Sequence, residues 1–136
     1  MDDADLRELL TRARVIAVVG LSANPDRPSN QVAWYLHHQG YQLYGVNPRC
    51  PVAQVFGTVK MFPSLDQVPG PIDIVDVFRR SEYTPEVARA AVAAGAGAVW
   101  LQLGIANPEA RDIAGAAGLR YVEDRCLKIE HRRLLG

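Results

Sequence analysis

Apolar and polar positions run along this chain in blocks that switch between two periods. Residues 3–13 place Leu6, Leu9 and Leu10 at helical spacing behind an acidic first turn, which predicts a short helix. "RVIAVV" (14–19) is a continuous run of small and β-branched residues, the pattern of a strand covered on both faces. Ser29 to Gln39 returns to helical spacing, with Val32, Ala33 and Leu36 on one face and Gly40 as its stop. "YQLYGVN" (41–47) reads as a second strand ended by Pro48, and "VKMF" (59–62) as a short third one. The pattern then restarts with strands at 72–78, 97–103 and 119–124. Helices are predicted at 84–94, 108–117 and over the closing "LKIEHRRLL".

Strands that alternate with helices pair in parallel through right-handed crossovers. The expected fold is therefore α/β, a Rossmann-like doubly wound sheet of five to six strands in the order 3-2-1-4-5-6, as one domain over residues 1–136. Ligands in such sheets sit beyond the carboxyl ends of the strands, where the strand order reverses. That directs attention to the segments leaving each strand.

Strand one leaves through "GLSANPDRPSN". Gly20 permits a positive φ and close backbone approach, Ser22 and Asn24 offer polar atoms, and Arg27 offers a guanidinium suited to phosphate. Ser29 and Asn30 stand at a helix start, whose free N–H groups attract anions. A plain βα turn with Asp26 pairing Arg27 accounts for the same residues. The single glycine does not make a G-x-G-x-x-G dinucleotide turn. Strand two ends in Asn47, Pro48 and Arg49 in place of the acidic residue that an NAD ribose requires. A cation there suits a phosphorylated ribose, as in NADP or coenzyme A. Strand four leaves through Val77, Phe78, Arg79, Arg80 and Ser81, an apolar wall followed by charge; Phe78 as core and the arginines as a solvated loop is the alternative.

Composition narrows the partners. With 15 basic and 15 acidic residues the net charge is zero, which argues against nucleic acid as the main partner. No apolar run approaches a membrane span, and the acidic "MDDADLRELL" start is not a secretion signal. Cys50 and Cys126 form no C-x-x-C pair, and the three histidines lack metal-ligand spacing. A reduced, cytoplasmic protein without a metal is expected. Cys126 and His131 suggest a nucleophile pair, with Glu130 or Glu123 as orienter, yet five positions apart on a helix they do not face each other squarely. Cys126 is read as structural, His37 and His38 as a solvated face, and no catalytic residue is assigned.

Five segments, "IAVVGLSANPDRPSNQVAWYL", "YGVNPRC", "DIVDVFRRSEYTPEV", "AVWLQLGI" and "EDRCLKIEH", resemble in order and spacing the small stand-alone CoA-binding proteins. That domain is similar to the N-terminal CoA-binding domain of the succinyl-CoA synthetase α subunit. The resemblance implies Gly20, Ser22 and Ala23 against the pyrophosphate, with Arg27, Ser29 and Asn30 near the helix start. It implies Asn47, Pro48 and Arg49 beside the adenosine, with Arg49 near the 3′-phosphate. Val77, Phe78, Arg79 and Ser81 would follow along the ligand, and Gln102, Gly104 and Ile105 would lie toward the pantetheine end. The ligases carry a phosphorylated histidine on a second domain and a nucleotide-binding partner; this chain ends at Gly136 and is expected to lack both. Three readings stand: a module binding coenzyme A or an acyl-CoA, an NADP-dependent oxidoreductase or sensor, and a CoA-site subunit of a separately encoded ligase. The closing helix and the aromatics Trp34 and Tyr35 offer a surface for that subunit or for a homodimer.

Overall fold

In the computed structural model, which covers residues 1–136, the first apolar run becomes β1 (Val15–Val19), buried at every position after Val15. It lies between β2 (Gln42–Val46) and β5 (Ile74–Val77), parallel to both. β6 (Ala98–Leu101) and β7 (Arg120–Val122) extend the sheet on the β5 side, also in parallel. On the other side β2 pairs with β4 (Val59–Phe62), which in turn carries a two-residue antiparallel edge strand, β3 (Gln54–Val55). The order β3-β4-β2-β1-β5-β6-β7 is the expected six-strand order with one strand added at the edge.

Because strand side chains alternate between faces, β1, β5 and β6 feed two cores. Ile16, Val18, Ile74 and Trp100 face one layer, where Leu6, Leu9 and Leu10 of α1 (Asp3–Arg12), Leu36 of α2 (Pro28–His38) and Leu127 of α5 (Leu127–Leu134) complete the packing. Ala17, Val19, Val75, Val77, Val99 and Leu101 face the opposite layer, under α3 (Thr84–Ala93) and α4 (Pro108–Ala116). Alanines 88, 91, 110 and 114 are buried on those two helices, so α3 and α4 can approach closely.

β3 escaped the sequence reading for a local reason. Two residues are too few for any periodicity, and the turn to β4 places Phe56 and Gly57 at φ 57° and 78°. Phenylalanine is an unusual occupant of the left-handed region, so the usual turn signature is missing. The 3₁₀ turns Leu65–Gln67 and Ser81–Tyr83 likewise carry no helical period. No helix is long and apolar enough to cross a membrane.

Candidate functional site at the carboxyl edge of the sheet

The helices after β1 and β5 lie on opposite faces of the sheet, so the exits of these neighbouring strands diverge and leave a crevice. Gly20 sits at its floor with φ 91°. Its N–H donates to the Val46 carbonyl (2.7 Å), tying the exit of β1 to the end of β2. A Cβ at Gly20 would lie 2.8 Å from the Phe78 carbonyl oxygen. Both the conformation and the close approach to β5 therefore demand glycine.

The loop beyond Gly20 is held by the polar residues that the sequence offered as ligand contacts. Ser29 Oγ accepts from the Ser22 N–H (3.0 Å), and the Asn30 side-chain amide donates to the Ser22 carbonyl (2.9 Å). Ser22 Oγ accepts from the Asn24 N–H and Asn24 Oδ1 from the Asp26 N–H. The Asn47 side-chain amide donates to the Leu21 carbonyl (3.0 Å). Ser29 and Asn30 are buried, so they shape the loop from beneath. Arg27 is exposed at the N-cap position of α2, where its side chain makes no cap, and the Asp26–Arg27 pair does not form.

At the end of β2, Asn47 Oδ1 accepts from the Arg49 N–H (3.0 Å) and the Asn47 carbonyl from the Cys50 N–H (3.2 Å). This turn leaves the Arg49 side chain exposed. At the end of β5, the Phe78 N–H donates to the Val19 carbonyl (2.8 Å), extending the ladder past the last strand residue. The Arg79 guanidinium lies over the Tyr83 ring, 4.9 Å from its centre, within the range of cation–π attraction.

Together these exits line a cavity of about 760 Å³. Gly20, Asn47, Pro48, Arg49, Phe78 and Arg79 all meet there, as the sequence predicts. Arg80 and Tyr83 join them from the β5–α3 connection, Glu86 from the first turn of α3, and Pro63 and Ser64 from the exit of β4. The latter two were legible in principle, since "VKMF" was read as a strand and "PS" leaves it. Arg49, Arg79 and Arg80 make no ion pair, and Glu86 is the one acidic residue of the lining.

Other expected residues lie elsewhere. Val77 is wholly buried in the layer under α3 and does not reach the cavity lining. Ser81 turns inward: its Oγ accepts from the Ala106 N–H (3.1 Å) and its carbonyl from Asn107. Gln102 is buried, with Oε1 accepting from the Leu127 N–H (3.1 Å) at the start of α5. Gly104 donates its N–H to Asp124 Oδ1 (2.7 Å), and the Ile105 carbonyl accepts from the Asp124 N–H (3.0 Å). Gln102, Gly104 and Ile105 thus stitch the exits of β6 and β7 together and do not line the cavity. Ala23 lines a second concavity on the far side of its loop.

Cys126 and His131 do not form a pair. Nδ1 of the buried His131 meets the Tyr35 hydroxyl at 2.8 Å, and burial lowers the imidazole pKa. A residue the sequence reading passed over is Asp76, wholly buried in β5 between Val18 and Trp100. Neither carboxyl oxygen has a hydrogen-bond partner, and burial raises its pKa well above the carboxylate range. The signal was present as a lone acid inside "IVDV", a run otherwise fit only for a covered strand.

Comparison with known proteins gives this arrangement a lineage. The chain is 41% identical to the protein YneT of Bacillus subtilis over 128 residues, 94% of this chain and 93% of that one. It is similar in structure to a hypothetical protein from Pyrococcus horikoshii, with a TM-score of 0.94, 43% identity, and coverage of 100% of this chain and 94% of the other. A stretch of 85 residues is 29% identical to the ADP-forming acetate–CoA ligase II of Archaeoglobus fulgidus, matching 61% of this chain but 12% of the ligase. The model of the CoA-binding domain matches residues 14–132, from the start of β1 into α5. This chain belongs to that CoA-binding domain family.

Proposed function

We propose that the protein binds coenzyme A or an acyl-CoA, with the phosphorylated adenosine end in the cavity beyond β1, β2 and β5. The observation that carries this reading is the convergence of Arg49, Arg79 and Arg80, none of them ion-paired, on the cavity that Gly20 lines. Charge-assisted hydrogen bonds from guanidinium to phosphate are strong and directional, and a ribose 3′-phosphate supplies the anion that Arg49 lacks. Phe78 and Pro48 offer apolar contact to the adenine. The diphosphate would pass over Gly20 toward the exposed Arg27 and the α2 N-terminus, where the helix dipole favours negative charge.

Calorimetric titration with coenzyme A, dephospho-coenzyme A, NADPH and NADH tests the reading. Coenzyme A is expected to bind most tightly, and Arg49→Ala to weaken it while leaving dephospho-coenzyme A unchanged. Arg49 at the end of β2 also favours a second reading, an NADP site. Binding of NADPH without a response to coenzyme A would select it.

A further inference from the structure

The loop after Gly20 has two sides. Gly20 lines the arginine-rich cavity, while Ala23 and Pro25 of the same loop form the wall of a second one of about 720 Å³. Asn30, whose amide holds the Ser22 carbonyl, lines that second cavity too. The segment from Gly20 to Asn30 thus contributes residues to both concavities.

Their chemistry is opposite. The second cavity is walled by Trp34, Val52, Val55 and Phe56, and its one charge is Lys128 in the first turn of α5. Trp34 is 52% exposed and meets Phe56 edge to face, with ring centres 5.1 Å apart. Phe56 holds this place from a backbone at φ 57°. A bulky residue in the left-handed region is strained, and such strain concentrates at binding sites. Glycine, which stands next at position 57, would relieve the strain but would remove the ring.

We infer that this second cavity receives an apolar acyl group carried on the coenzyme, so that thioesters of several carbons bind better than the free thiol. The inference rests on the coenzyme A reading above. Two observations select an acyl chain over a protein partner. The volume is that of small-molecule sites, which run to roughly 300–1,000 Å³ with mostly apolar walls. A stable protein interface buries about 800 Å² per partner, whereas Trp34 and Val52 are the only exposed large apolar residues of this lining. The shared loop supplies continuity: a ligand whose diphosphate rests on one side of it can lay its far end on the other.

The test is a calorimetric series of free coenzyme A, acetyl-, butanoyl- and hexanoyl-CoA on the wild type, Trp34→Ala and Phe56→Gly. Affinity is expected to rise along the series by about fourfold for each methylene buried. Both variants should flatten the rise while keeping the affinity for free coenzyme A. Phe56→Gly suits the positive φ and keeps the hairpin, so loss of the trend there reports the ring and not unfolding. Equal affinities across the series in the wild type would overturn the acyl assignment and leave the coenzyme reading standing. No binding of any member would overturn both. A Trp34→Ala variant that turns a dimer into a monomer, seen by sedimentation, with an unchanged acyl trend would assign the surface to a second copy and overturn the inference.

Discussion

Arginine serves two different ends in this molecule. On the flank formed by α1, β7 and α5 three arginines are matched: Arg120 meets Glu8 at 2.7 Å, Arg125 meets Glu130 at 3.6 Å, and Arg133 forks between Asp3 and Glu130. The match depresses the pKa values of Asp3 and Glu8, chiefly through hydrogen bonds from Arg133 and Arg120. At the carboxyl edge, Arg49, Arg79 and Arg80 gather around one cavity with no ion pair at all. A chain of zero net charge has acids enough to pair them. Like charges held together without counterions repel, so the arrangement works against the free fold and in favour of an anion. Pairing on the flank supports structure; the unpaired cluster at the concave edge is what the proposed anion would neutralise.

The largest effect on that contrast is expected from Gly20→Ala. The positive φ alone costs about 1–3 kcal/mol in a residue with a Cβ, and the Phe78 carbonyl would have to move. The denaturation midpoint should fall and coenzyme A binding should be lost together; a variant that keeps both would show that the crevice floor tolerates a side chain.

Asp76 is the limiting case of an unmatched group, a carboxyl with neither partner nor water contact. Burial raises its folded pKa well above that of the unfolded chain. The folded state therefore holds a proton that the unfolded state releases. The Asp76 contribution to stability is full below about pH 4, the unfolded carboxyl pKa, and declines as pH rises toward the folded value. Urea melts across pH should show this fall, and Asp76→Asn should remove its share of the slope. A slope unchanged in the variant would mean that Asp76 is ionised and matched in the fold.

Arg49→Ala separates the two kinds of arginine directly. Loss of one charge-assisted hydrogen bond should weaken coenzyme A by roughly ten- to hundredfold, with no loss of stability. Arg120→Ala is the complement and the smallest effect expected. Its pair with Glu8 is exposed, and exposed pairs contribute little. Coenzyme A affinity should stay the same and the urea midpoint should barely move. If Arg120→Ala weakened the ligand as much as Arg49→Ala, the distinction between the two regions would fail.

The strands and helices were legible because each carries its own period. Leu6, Leu9 and Leu10 predict α1, and "VIAVV" and "IVDV" predict strands covered on both faces, within two residues of the observed bounds at most ends. The strand order followed from alternation and crossover handedness, and with it the edge to search. The added strand β3 was silent because a two-residue pairing rests on its partner β4, and its turn uses Phe56 against preference. Site residues divided along similar lines. Arg49 and Arg79 could be placed because an exposed side chain at a strand exit has few other places to go. Ser29, Asn30 and Ser81 offer polar atoms at strand exits, and Gln102 enters through the family resemblance; in the fold each hydrogen-bonds a neighbouring segment.

Periodicity and strand count dictate the doubly wound sheet and the crevice beside Gly20, and five motifs in order and spacing carry the family resemblance, because all of these are properties of local or successive segments. Which polar groups remain free is settled only when the segments pack. A hydroxyl or amide has the same letter whether it faces a ligand or a backbone carbonyl, and its hydrogen-bond partner lies on another segment. Ser29 finds Ser22 across a loop, and Gln102 finds Leu127 across 25 residues. The same holds for charge: Arg133 finds Asp3 at the other end of the chain, while Arg49 is left unpaired beside Arg79.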